Sequence, residues 1–290
     1  MASKIEHLVF DNKELPIEFE MIDVDSEYAQ SKKNLASPHR ASFYCIIWFK
    51  TGDVIHLVDF NPVSIRANTL LFIRKDAIQF FDHHNKFSSQ IILFTDNFFC
   101  RNISDHQFLK STSLFNDLMG NLSGGIVEGS ALLRQLWEWM EKEFKHGMDH
   151  YKSDMLKNYL HNFILVAERE KNRHGGLPIQ HGIQLDYLLS FKDYLERYFP
   201  EQQSVAFYAQ KLSITAKVLT LATQKVIGKT PKQVIDERVL LEAKRLLIHS
   251  NETGKSVGYS LGFEEPTNFI KYFRKHTGYT PTTFRAKYLS

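Results

Sequence analysis

Ten side chains in the last third of the chain have the types and spacing to meet the edges and backbone of a nucleic acid. Thr267, Asn268 and Lys271 fall on one face of a helical stretch, where an Asn amide can pair with adenine and a Lys ammonium with the acceptors of guanine. Arg274 and Lys275 follow on the same stretch and suit phosphate. On an earlier stretch the candidates are Lys217, Thr220 and Leu221, flanked by Gln224 and Lys225; Leu221 could touch only a thymine methyl. Thr220 and Leu221 have a second reading as plain helix packing, and Lys271 a second reading as a solvated lysine.

Other chemistries find less to work with. A metal site on a sheet needs clustered histidines, commonly as His-x-His, because alternate strand residues point the same way. The candidates His39, His56 and the adjacent pair His83 and His84 do not supply that spacing, and they read as surface or turn histidines, with no metal and no cofactor. Cys45 and Cys100 lack metal-ligand spacing and read as buried free thiols rather than as a disulfide scaffold. Neither a phosphate-cradling glycine loop nor a nucleophile elbow occurs, so no catalytic residue is assigned. An enzyme or a metal-binding sensor fused to a nucleic-acid-binding tail is the rival class.

The elements that must position the ten side chains repeat. Gly228, Thr230 and Pro231 return as Gly278, Thr280 and Pro281, each 50 residues later. Leu219 and Phe269 share that offset, as do Thr223 and Phe273, while Ala209 and Gly258, Leu212 and Leu261, and Ile214 and Phe263 lie 49 apart. Two related helix-turn-helix units read this way. Each glycine ends a helix in the left-handed conformation, the threonine accepts from orphan amides of the next helix, and proline takes its first position. Gln233 completes a capping box with Thr230. Ile235, Val239, Ala243 and Leu246 mark a connecting helix over about 232–249, long enough to hold the two units roughly 25 Å apart.

At these residues the chain resembles the AraC-type bacterial transcription regulators. The resemblance rests on "LGF" at Leu261 to Phe263, "NFIKYFRKHTG" at Asn268 to Gly278, "YTPTTFR" at Tyr279 to Arg285 and "LLEAKRLL" at Leu240 to Leu247. It covers roughly the last 100 residues and implies seven helices in two helix-turn-helix subdomains. Carried over residue by residue, the family's base-contacting positions fall on Lys217, Thr220, Leu221, Thr267, Asn268 and Lys271. The first unit departs from the pattern with Leu221 in place of Arg and Thr223 in place of Phe. In the second, Gly258 replaces Ala and Gly254 an aliphatic residue, which should loosen its first helix. The resemblance also implies double-stranded DNA as partner, a small organic effector, a homodimer, a role with RNA polymerase in activation, and a cupin-like barrel ahead of the DNA-binding region.

The 290 residues, 43% hydrophobic, suffice for roughly two packed domains. β-rich runs at 17–21, 42–49, 54–60, 69–73, 77–81 and 90–94 predict a sandwich or small barrel. Two amphipathic helices follow, about 128–145 and 149–171. Their stripes, Leu133-Leu136-Trp137-Met140-Phe144 and Leu156-Tyr159-Leu160-Phe163-Ala167, either cover the barrel or, for one of them, form a dimer seam. The aromatic run Phe43 to Phe49 favours a mostly apolar ligand pocket. The expected architecture is thus α+β: a cupin-like sensing and dimerisation domain at 1–171, a Gly/Pro linker at 172–180, and an all-α DNA-binding domain at 181–290. From His181 onward 16 Lys and Arg face 10 Asp and Glu, a net of +6, whereas the first 180 residues carry −3. That asymmetry fits a footprint for phosphate. With no apolar run long enough to span a bilayer, a cytoplasmic protein that does not enter membranes is expected.

Overall fold

The computed structural model describes residues 6–10, 17–31, 38–59, 61–80, 86–115, 126–173, 182–250 and 252–289. Two compact units divide at Pro178 and Ile179. The Gly/Pro linker lies almost entirely outside the described residues, as do His83 and His84.

The N-terminal unit runs β1 (Glu6–Leu8), β2 (Phe19–Asp25), α1 (Ser26–Ser31), β3 (His39–Ala41), β4 (Tyr44–Thr51), β5 (Val54–Val58), β6 (Asn61–Ile65), β7 (Thr69–Ile73), β8 (Ile78–Phe80), β9 (Ser88–Phe94), α2 (Asp96–Phe99), α3 (Ile103–Ser111), β10 (Ile126–Glu128), α4 (Ala131–Lys145) and α5 (Lys152–Arg173). Its strands form two five-stranded sheets, β1-β3-β8-β5-β6 and β10-β7-β4-β9-β2. Among the described residues the two ladders do not join, so the expected barrel takes the form of two open sheets.

Strand β4 explains the layering. Successive strand residues point to opposite faces, and both faces of β4 are covered, so its apolar run is continuous rather than alternating. Cys45, Ile47 and Phe49 join Val54, Val63 and Ile65 of the other sheet in one buried cluster. Tyr44, Ile46 and Trp48 turn the other way, into a second cluster with Leu133, Trp137 and Met140 of α4 and with Leu156, Leu160 and Phe163 of α5. Trp137 meets Trp48 edge-on at 5.3 Å, and Phe163 stands 6.3 Å from Phe72. The stripe of α5 therefore covers the sheet. Phe163 is wholly buried, so of the two readings of this stripe it fits the cover over the sheet: its hydrophobic burial is already satisfied within the unit.

Buried, not surface-exposed, is also the finding for His39 and His56, because β3 and the alternation of β5 turn them inward. His56 Nε2 and Gln79 Oε1 are hydrogen-bonded at 3.2 Å. Lys152 is buried as well and closes the α4–α5 turn, donating to the carbonyls of Phe144 (2.8 Å) and His146 (2.6 Å).

In the C-terminal unit the described helices are α6 (Ile183–Tyr198), α7 (Val205–Lys211), α8 (Ala216–Ile227), α9 (Pro231–His249), α10 (Gly254–Ser260), α11 (Pro266–Thr277) and α12 (Pro281–Leu289). The repeated Gly-x-Thr-Pro performs as its chemistry dictates. Gly228 and Gly278 take φ of 67° and 77° and donate back to the carbonyls of Gln224 and Arg274. Thr230 and Gln233 form a reciprocal capping box ahead of α9.

Candidate nucleic-acid interface

Helices α8 and α11 are the second helices of the two helix-turn-helix units, and each is fixed by its buried side. In α8 that side is Leu219, Ala222, Thr223 and Ile227; in α11 it is Phe269 and Phe273, with Phe263 at 5.4 Å and Phe284 at 5.3 Å closing around them. Thr215 caps α8 by accepting from Val218 N, and Pro266 opens α11 at its first turn.

Nine of the ten positions singled out in the sequence are solvent-exposed: Lys217, Leu221, Gln224 and Lys225 on α8, and Thr267, Asn268, Lys271, Arg274 and Lys275 on α11. Thr220 is half-buried, and its Oγ1 donates to Ala216 O at 2.8 Å. Leu221 is 56% exposed and so is not packing for α8.

Partnering separates these side chains from several other basic residues of the unit. Lys229 pairs with Glu237 (2.7 Å) and Lys232 with Asp236 (2.9 Å), while Arg238 pairs with Glu196 (2.8 Å) and Glu242 (3.1 Å). Arg285 donates to Leu247 O at 2.6 Å. By contrast, Lys217, Lys225, Lys271, Arg274 and Lys275 form no hydrogen bond or ion pair among the described residues. Five cations without an ion pair or hydrogen bond among the described residues thus lie on α8 and α11, within a region of net charge +6.

Helix α9 ties the two units together. Its 19 residues span about 28 Å at 1.5 Å per residue. Near its start Tyr272 of α11 donates its hydroxyl to Asp236 O at 2.9 Å, and Arg238 lies 3.8 Å over the Phe199 ring at the end of α6. Burial and the Asp236 carboxylate push the Tyr272 phenol well above its ordinary range, so it stays a donor.

Residues 208–287 match the model of a helix-turn-helix domain family. The HTH-type transcriptional activator RhaS of Enterobacter sp. (strain 638) is 24% identical over 255 residues, covering 85% of this chain and 86% of the relative. Its counterpart in Citrobacter koseri is 25% identical over 257 residues, with the same coverage. Among solved structures, ToxT from Vibrio cholerae aligns with 93% of this chain and 98% of its own at 11% identity and a TM-score of 0.46. Residues 208–287 thus carry a helix-turn-helix domain, and most of the chain is similar to bacterial transcriptional activators.

The N-terminal unit carries a cleft of about 360 Å³ lined by Trp48, Lys50, Asn68, Gln90, Arg134, Trp137, Glu138 and Glu141. Lys50 Nζ lies 3.6 Å from the Trp48 ring centroid. Trp48 Nε1 donates to Asn68 Oδ1 (3.3 Å), and Asn68 Nδ2 donates to Gly129 O (2.8 Å), which fixes the floor of the cleft. Burial pushes the Lys50 ammonium down to about 8, with the nearby Arg134 guanidinium acting in the same direction. This cleft differs from the mostly apolar pocket expected from Phe43 to Phe49. The side chains of 44–49 pack on both faces of β4, Trp48 also lines the cleft, and the rest of its lining is mostly polar. Sequence reasoning missed it because Lys50, Gln90 and Arg134 come from three distant elements. The only local signal was a lysine closing an otherwise apolar strand. Among the described residues no three His, Cys, Asp or Glu side chains stand together in a metal-holding group, and no helix is long and apolar enough to cross a membrane.

Proposed function

We propose that the protein reads a specific promoter sequence by laying α8 and α11 into successive major grooves. In this reading Lys217, Thr220, Leu221, Thr267, Asn268 and Lys271 face bases, while Gln224, Lys225, Arg274 and Lys275 face the backbone. The observation that carries it is the pair of equivalent helix faces whose basic side chains have no hydrogen-bond or ion-pair partner among the described residues. The length of α9 suits it too, since about 28 Å approaches the roughly 34 Å of one turn of DNA. Relatives named transcriptional activators favour activation, with RNA polymerase as the further partner.

The N-terminal unit, in this proposal, senses a small organic molecule in the Lys50 cleft. Lys50 and Arg134 suit an anionic group, and Asn68 and Gln90 suit hydroxyls or amides. The exposed Trp139, 6.0 Å from the half-buried Tyr159, favours a homodimer through the α4–α5 surface. The test is footprinting of the full chain on its own chromosome, followed by titration of one footprinted duplex at several salt concentrations. Discrete protected promoters and an affinity that falls steeply with salt are expected. Protection without sequence preference would sink the specific-regulator reading.

A further inference from the structure

Leu221 and Lys271 hold one position in two copies of the same unit, 50 residues apart, and differ in what they can recognise. At 3.6 residues per turn, each stands about 200° around its helix from the buried residue two places earlier, Leu219 or Phe269. Both therefore project from the middle of the face opposite the core, the place a groove would meet first. Val218, one turn before Leu221, is also exposed, whereas its counterpart on α11 is Asn268. Thr220 adds no free donor, because its hydroxyl proton goes to Ala216 O at 2.8 Å. The centre of the α8 face consequently offers methyl groups, where that of α11 offers an amide and an ammonium.

An apolar side chain in the major groove has one distinctive base feature to bind, the C5-methyl of thymine. We infer that the first unit selects its half of the operator through thymine methyl groups packed on Leu221 and Val218, while the second selects adenine and guanine through Asn268 and Lys271. This rests on the DNA-reading function proposed above and names what one of its helices reads. Lys225, one turn beyond Leu221, holds the helix to the backbone, so affinity does not depend on the methyl contacts alone.

Deoxyuridine lacks only the C5-methyl of thymidine, which makes the test direct. A duplex is first enriched from a randomised pool by binding to the full chain. Each thymine in it is then replaced by deoxyuridine, and affinities are compared for the parent and for Leu221→Ala, an exposed change whose fold is checked by circular dichroism. For the parent, replacement at one or two positions in one half of the site should weaken binding about fourfold, the effect of burying one methyl group. Leu221→Ala should bind the unmodified duplex more weakly and no longer distinguish uracil from thymine there, yet keep its preferences in the other half. A parent indifferent to uracil throughout, or a uracil penalty that persists in Leu221→Ala, would overturn the inference. Failure of any sequence to enrich would overturn the DNA-reading function itself, a result with a different signature.

Discussion

Gly258 and Phe269 share a single space: a Cβ on Gly258 would lie 3.0 Å from Phe269 Cβ and 3.2 Å from its Cγ. In the first unit the corresponding pair is Ala209 and Leu219, a larger residue facing a smaller one. Volume has been exchanged across the α10–α11 contact, so the glycine is a fit to the phenylalanine rather than a loosening of its helix.

Gly258→Ala measures which effect wins. Helix propensity favours alanine by about 1 kcal/mol, but Phe269 is fully buried between Phe263 and Phe273 and has little room to give. Overpacking of this kind costs about 1–3 kcal/mol, so a net loss of stability is expected in urea unfolding. Gly258→Ala combined with Phe269→Leu should recover part of it, through a coupling of opposite sign. A stabilised single variant would show that propensity dominates.

Phe273→Ala should cost on the order of 3–5 kcal/mol, since the ring is fully buried against Phe269 and Phe284. At the matching position Thr223 is also fully buried and donates its hydroxyl to Thr220 O at 3.2 Å. The first unit has thus closed around threonine, and Thr223→Phe should destabilise by about 1–3 kcal/mol. Thermal melts decide both; a Thr223→Phe protein that melts higher would reveal space that this packing does not suggest.

Lys271→Ala should relax sequence preference as well as weaken binding, because a lost base contact typically removes about 1–3 kcal/mol of discrimination. Lys275→Ala, if it faces phosphate, should weaken all sequences alike and lower the salt dependence. Competition between the enriched duplex and random DNA separates the two. Equal losses on both duplexes for Lys271→Ala would move it to the backbone class.

Phe163→Glu should unfold the N-terminal unit instead of yielding folded monomers, since it would place a charge in the core between α5 and the sheet. Trp139→Glu is the informative change for assembly, as Trp139 is 40% exposed. If the proposed homodimer uses this surface, sedimentation of the full chain should show the parent dimeric and Trp139→Glu monomeric. A Trp139→Glu protein as dimeric as the parent would move the interface elsewhere.

How much of this was legible beforehand depended on whether the signal was local. Caps are local: Gly228, Thr230, Pro231 and their copies fix helix ends through groups a few residues apart, and all were readable from residue type and offset. The exposed face of α8 and α11 followed from the 3.6-residue period against Leu219 and Phe269. Burial of His39, His56 and Phe163 did not, because it depends on which sheet or helix arrives from far along the chain. The Lys50 cleft is the extreme case. Its floor is Asn68, tied to Gly129 61 residues away, and no window of sequence contains both.

Lys50 gives the last prediction, a dependence on pH. Its ammonium in the folded chain titrates near 8, below the ordinary lysine value of 10.5, because half-burial disfavours the charged form. Below pH 8 Lys50 is protonated in both folded and unfolded chains, and folding bears the cost of holding a charge there. Between about 8 and 10.5 the unfolded chain binds more protons than the folded one, so this residue's contribution to stability rises with pH. Lys50→Met should therefore be more stable than the parent at pH 7, with the gap narrowing above pH 8. An anion bound beside Lys50 reverses the balance by stabilising the ammonium, so its affinity should fall as pH rises through 8. A series of small carboxylates and phosphates, screened by thermal shift at pH 7 and again at pH 9, would show it. A ligand that binds equally at both values, or that binds Lys50→Met as well as the parent, would place the anionic group away from this lysine.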